Sequence, residues 1–263
     1  MARVNKAIKQ PFEETLNQLS PLVIIENAQA RCQYDASCKN PPLKEEAFCE
    51  IHESFPSKMQ LSGSEPPYTP NLWNDDPNVQ MVHNCFAYAL NILSPFLAEK
   101  CKNTKICNTH QPGERSKWPP MKEKTCPNLI ARILGDSTYI PIDYEGKCPA
   151  GTSMVAFIID TKRDYHVLRL DDTGKFSHKG GQGPATDKDA LGHSIADVRL
   201  ANFNYSDKPD KLNYTHFCGY FCISRSVVHA AVPKGGKRYR KSRMRKQTQK
   251  KNRTRLRRQR NGK

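Results

Sequence analysis

The chain has 263 residues, 42 Lys and Arg against 26 Asp and Glu, a formal charge of +16 and a hydrophobic fraction of 37%. That length supports one well-packed core with appendages, and the longest apolar run, Met154 to Ile159, is far too short to cross a bilayer as a helix. The charge is local: sixteen of the cations lie between Lys234 and Lys263 with no acid among them, which leaves 26 charges of each sign on the rest of the chain.

The first residues, 1–30, read as an N-terminal arm, with a short amphipathic helix over Phe12 to Leu19. Charged and polar residues interrupt this stretch throughout, so it lacks the apolar centre of a secretory leader, and an intracellular protein is expected. Ten cysteines in that setting point to metal ligands, a nucleophile and buried thiols more than to a disulfide framework.

Residues 31–55 carry Cys32, Cys38, Cys49 and His52, four soft donors within a segment too short to bury a core of its own. Zinc takes four N or S donors in a tetrahedron, and Cys49-x2-His52 supplies one close pair. The reading is a structural zinc-binding segment, with all four positions filled by protein. The alternative is a loop of free thiols. Residues 56–78 then turn rich in Pro and Ser, as in Ser62-Gly-Ser-Glu-Pro-Pro67, and form a linker or a strap over the next domain. Tyr68 and Trp73 favour the strap, because a floating linker has no use for them.

In His83-Asn84-Cys85-Phe-Ala-Tyr-Ala-Leu-Asn-Ile-Leu-Ser-Pro95, Asn84 is a good N-cap, Cys85 opens a helix and Pro95 limits its reach. A thiol at that position sees the positive end of the helix dipole and free amide donors, which favour thiolate and can hold an oxyanion. Cys101, Cys107, His110 and Cys126 make a second metal site conceivable, though loop thiols without a partner are the commoner case. Pro127 to Leu134 reads as a helix stopped by Gly135.

Strands are expected at Thr138 to Ile142, Met154 to Asp160, a hairpin from Tyr165 to His178, and His216 to Ser224; sequential hairpins make the sheet mostly antiparallel. In the hairpin, Asp171-Asp-Thr-Gly174 is turn chemistry. If Leu170 lies opposite Gly174, then Leu168 faces Phe176 and His166 faces His178, so both imidazoles share a face. That is where a base and the group orienting it would sit. Gly180 to Pro209 is a long polar loop placed to shape a cleft.

The tail, 231–263, has too few apolar residues to fold alone. Lys237, Arg238, Arg240, Lys241, Arg243, Arg245, Lys246, Arg253, Arg255, Arg257, Arg258 and Arg260 on a disordered strand are expected to bind nucleic acid by counterion release, with little sequence preference. Nuclear import is a compatible reading.

A helix-opening Cys, then a His on a strand, then a polar residue on the next strand resembles the NlpC-type branch of papain-like cysteine peptidases and amidases. Asn-Cys-Phe-Ala-Tyr-Ala-Leu, Asp-Tyr-His, Gly-Lys-Phe-Ser-His-Lys and Phe-Cys-Gly-Tyr-Phe also look like a subgroup found in large DNA viruses and some bacteria, over roughly Val79 to Ser224. Many members of the branch carry Asp-Cys-Ser-Gly at the nucleophile where this chain has Asn-Cys-Phe-Ala. The resemblance implies an α+β, papain-like core in 79–230, with the Cys-bearing helix packed on the sheet. Carried over by position, Cys85 is the nucleophile, His166 the base and His178 its orienter, acting on a peptide or amide substrate without a catalytic cofactor. His83, Asn84 or Tyr68 would supply the second oxyanion donor. The resemblance also makes the nucleus, a viral factory or a virion the expected location, with other virion proteins as partners.

Each residue also has an ordinary reading: a Cys at a helix start as a small buried hydrophobe, a strand His as a satisfied core residue. The sequence leaves three functions open. They are a cysteine peptidase or amidase, a thiol acyltransferase acting on lipid, and a non-catalytic papain-like protein of a virion or nucleic-acid assembly.

Overall fold

The computed structural model describes residues 23–25, 30–94, 110–208 and 211–224, all within one compact unit. The helix expected over Phe12 to Leu19, Cys101, Cys107 and the basic tail, including its twelve candidate nucleic-acid contacts, lie outside the described residues. No described helix is long and apolar enough to cross a membrane.

The fold is α+β. Strand β1 (Val23–Ile24) comes first, then helices α1 (Asn71–Asn74), α2 (Pro77–Val82), α3 (Cys85–Ala89) and α4 (Cys126–Asp136). Strands β2 (Tyr139–Ile142), β3 (Thr152–Asp160), β4 (Asp164–Leu170), β5 (Phe176–Lys179), β6 (Ala185–Thr186), β7 (Asn204–Tyr205), β8 (Leu212–Asn213) and β9 (His216–Ser224) complete the order. The main sheet runs β1-β9-β3-β4-β5-β6, with β2 also on β9, and every named pair is antiparallel. Hairpin β7–β8 stands apart.

Alternation along the strands divides the core in two. On β3, Met154, Ala156 and Ile158 face one layer while Val155, Phe157 and Ile159 face the other. Helices α3 and α4 cover the second face, packing Phe86, Ala89, Leu129, Ile130 and Ile133 onto Phe157, Val167 and Phe221. The first face is covered by the chain between β6 and β7, through Ile195, Val198, Ala201 and Phe203, all buried. The segment expected to shape a cleft is therefore a packed lid over the sheet, because its few apolar residues are spent on core.

Helix α4 begins where Thr125 accepts from the Asn128 amide and Pro127 sits in the first turn; it runs past Gly135 to Asp136. Helix α3 is shorter than its apolar pattern suggests. Asn91 adopts left-handed backbone (φ 54°), which an Asn side chain tolerates and which ends the helix well before Pro95. The 56–78 segment packs onto the domain: Trp73 is buried edge-on to the rings of Tyr88 and His83. Fully buried Arg169 ties these parts together. Its guanidinium donates to Asp171, to the Tyr88 and Pro67 carbonyls and to the Asn91 side chain, and lies 4.0 Å over the Tyr88 ring.

Candidate functional site

The four donors of the N-terminal segment converge. Cys32 Sγ, Cys38 Sγ, Cys49 Sγ and a ring nitrogen of His52 all lie within 4.8 Å of one another and can hold a metal ion. Cys38 and Cys49 sulfurs are 3.8 Å apart, and His52 Nδ1 is 3.3 Å from the sulfurs of both Cys32 and Cys49. A tetrahedral ion bound to thiolates at ~2.3 Å puts its sulfurs about 3.8 Å apart, which the Cys38–Cys49 edge matches. Short turns bring the donors in: Cys38 N–H donates to Asp35 O, and His52 N–H to Cys49 O. The Cys49 amide donates to Cys32 Sγ at 3.3 Å, and Tyr34 stacks on the His52 ring with centroids 4.4 Å apart.

This segment is bolted to the lid. Gln33, next to Cys32 and buried, donates to Ser194 O at 2.9 Å and accepts from the amides of Ala196 (2.7 Å) and Asp197 (3.1 Å). Glu45, held at φ 64°, offers a carbonyl that accepts from Ser194 N–H, Ser194 Oγ and Lys188 Nζ. Lys188 in turn presents its own carbonyl to His178. Two residues thus link the metal segment to the histidine pair.

His166 and His178 do meet, but not by the expected register. The observed pairs are Leu170 with Phe176 and Leu168 with His178, two residues off, because the turn closes through an Asp171 N–H to Lys175 O bond instead of a tighter loop. A two-residue shift preserves the face, so the histidines become diagonal neighbours with His166 Nε2 and His178 Nδ1 2.9 Å apart. Burial pushes both imidazoles down from the ordinary histidine range, with His178 adding to the effect on His166. As neutral rings their protons are fixed by partners: His178 Nε2–H donates to Lys188 O at 2.9 Å, so its Nδ1 is bare and accepts from His166 Nε2–H.

Cys85 is not part of this pair. Asn84 caps α3 as expected, its Oδ1 accepting from the Ala87 amide at 2.9 Å. The thiol, however, packs with Phe157, Tyr165 and Val167 on the helix-covered face. His166 lies opposite Ile158, and His178 opposite Leu168, on the other face. The sheet therefore separates the expected nucleophile from the expected base, and the Cys85–His166–His178 triad is not assembled. The physical reason is period two: Tyr165 and Val167 turn toward α3, so the residue between them turns away. Burial, reinforced by the charge of Asp164, pushes the Cys85 thiol up to about 12, against the opposing effect of the Val167 and Phe86 amides. Desolvation outweighs the helix terminus, and the group stays a thiol at neutral pH.

The candidate oxyanion donors are committed elsewhere. His83 Nδ1 bonds Val79 O at 2.8 Å while its Nε2 accepts from Ser94 N–H, and Tyr68 OH donates to Asp187. Behind Cys85 lies Lys179, fully buried, its amine donating to Gln80 O at 2.6 Å and Gly181 O at 2.8 Å. Burial pulls that amine down to about 8.

No family model and no solved structure matches the chain. Over 157 residues, 59% of its length, it is 32% identical to the insoluble matrix shell protein 1 of Ruditapes philippinarum, and it covers 88% of that protein. The chain belongs to the family of that shell matrix protein. Two features escaped sequence reasoning. Cys126 is bonded to Cys218 and Cys148 to Cys222, which corrects the reading of these cysteines as reduced thiols and removes Cys126 from any second metal set. Spacing carries no signal for either bond, since the partners stand 92 and 74 residues apart and only folding brings them together. Gln33, the residue that docks the metal segment, is equally silent in sequence.

Proposed function

We propose that the chain is a non-catalytic structural protein of an insoluble assembly, its papain-like scaffold stapled by disulfides and a zinc ion. The observation that carries this reading is the placement of Cys85 and His166 on opposite faces of the sheet. A shell matrix relative points the same way. Three thiolates and one imidazole at tetrahedral spacing suit zinc over harder cations, and with every position filled by protein the ion has no open site for substrate. The sixteen cations of Lys234 to Lys263 give the chain a polyanion-binding arm, nucleic acid included.

One observation favours the hydrolase instead: the 2.9 Å bond from His166 to His178 is the base-and-orienter half of a thiol triad. Iodoacetamide labelling of the folded protein near neutral pH, mapped by mass, separates the two. Under the structural reading Cys85 labels only after denaturation. Fast labelling of Cys85 in the native protein, together with its suppression in His166→Ala, would sink that reading and reinstate an enzyme.

A further inference from the structure

Two asparagines stand opposite each other on the β7–β8 hairpin. Asn204 and Asn213 are directly paired across hairpin β7–β8, and each opens an Asn-X-Ser/Thr tripeptide: Asn204-Tyr205-Ser206 and Asn213-Tyr214-Thr215. With X other than proline, this tripeptide is the acceptor of N-linked glycans when it lies at a surface and the chain passes through a secretory compartment. The hairpin meets the first condition, because Asn204 and Tyr205 are half-buried and Ser206, Asp207 and Lys208 are exposed. The Cys126–Cys218 and Cys148–Cys222 bonds speak for the second, since disulfides form and persist in oxidising compartments.

The two asparagines differ in what holds them. Asn204 Oδ1 accepts from the Ser206 amide at 3.0 Å, forming an Asx turn, and its Nδ2 makes no hydrogen bond among the described residues. Ser206, the hydroxyl residue of the tripeptide, is open to solvent. At the second tripeptide the Asn213 backbone N–H donates to Asp160 at 3.0 Å, Tyr214 beside it is buried, and the Thr215 hydroxyl, which the transfer needs, is engaged with His216 at 2.9 Å. Directly opposed residues on an antiparallel pair project to one side with Cβ atoms roughly 5 Å apart, so a glycan on one crowds the other.

We propose that Asn204 is an N-glycosylation site. In the transfer, Asn204 Nδ2 bonds to the anomeric carbon of a lipid-pyrophosphate-linked oligosaccharide and the bond from that carbon to the pyrophosphate oxygen breaks. The lipid pyrophosphate leaves with the electron pair, and Nδ2 gives up one proton to the transferase. The glycan then covers the exposed tip of the hairpin with a hydrated, uncharged polymer.

The test is expression of the full chain, carrying a cleavable secretion leader, in eukaryotic cells, followed by peptide N-glycosidase digestion in heavy-oxygen water and peptide mass mapping. Heavy-oxygen Asp is expected at Asn204, with a glycosidase-sensitive gel shift that disappears in Asn204→Gln and in Ser206→Ala and persists in Asn213→Gln. Ser206→Ala changes only an exposed hydroxyl, so it keeps the test valid if Asn204→Gln fails to fold. Unlabelled Asn204 in the secreted protein, or label confined to Asn213 or to Asn252, which opens a third such tripeptide (Asn252-Arg253-Thr254), overturns the proposal.

Discussion

Cys218 and Cys222 lie four residues apart on β9, yet their disulfides leave from opposite faces of the sheet. A β-bulge explains this: Phe157 pairs with Gly219 and Ile158 with Phe217, so Cys218 is skipped and turned into the helix-covered layer. Cys218 then staples α4, while Cys222 staples the Cys148 loop onto the other layer.

Both layers are thus bound covalently to one strand, and reduction should release both. Loops of 92 and 74 residues correspond to about 4.5 kcal/mol of chain entropy each in the loop-closure model. Cys148→Ser with Cys222→Ala should lower the unfolding free energy by several kcal/mol, read as a fall in the denaturant midpoint. An unchanged midpoint in strong reductant would mean that the bonds do not form.

Gln33 carries the docking of the metal segment. In Gln33→Leu the amides of Ala196 and Asp197 and the carbonyl of Ser194 lose their partners inside the protein. Each buried polar group left unpaired costs about 1–3 kcal/mol, so a loss of roughly 3 kcal/mol is expected from chemical denaturation. A loss below about 0.5 kcal/mol, within the ordinary range for surface changes, would place the segment apart from the domain.

Metal removal should act through the same contacts. Cys49→Ser with His52→Ala is expected to lose about one metal equivalent by elemental analysis and to speed hydrogen exchange at Ser194, Ala196 and Asp197 by roughly tenfold, the equivalent of one net hydrogen bond. Exchange that stays the same in the apoprotein would show the lid to be independent of the ion.

The histidine pair sets a pH dependence. Both folded pKa values lie below the unfolded value near 6.5, so the unfolded chain binds more protons once the pH falls below it. Stability contributed by the neutral pair is complete above that value and declines on acidification below it, with a limiting slope of about 1.4 kcal/mol per pH unit for each histidine until its folded pKa is reached. Asp171, raised by burial to about 6, works in the opposite sense over part of this range. Comparing the wild type with His178→Gln between pH 7 and pH 5 isolates the pair, and the variant should show the shallower slope. Equal slopes would contradict a neutral buried pair.

Local chemistry made much of this protein legible in sequence. Asn84 read as a cap, Pro127 as a first-turn residue, Trp73 as an anchor of the strap, and 154–160, 165–170 and 216–224 as strands, because each depends on neighbours within one turn or one strand. The clustering of Cys32, Cys38, Cys49 and His52 was legible for the same reason, since short turns bring all four together.

What tertiary structure alone decided is sidedness and long-range pairing. Whether Tyr165 or His166 faces α3 depends on which side of the sheet the helix packs, and strand periodicity is blind to that choice. Pairing Cys126 with Cys218 needs a bulge and a crossover between distant segments, neither of which leaves a local trace. The residues thus fixed which side chains travel together on a strand, and packing fixed what they meet.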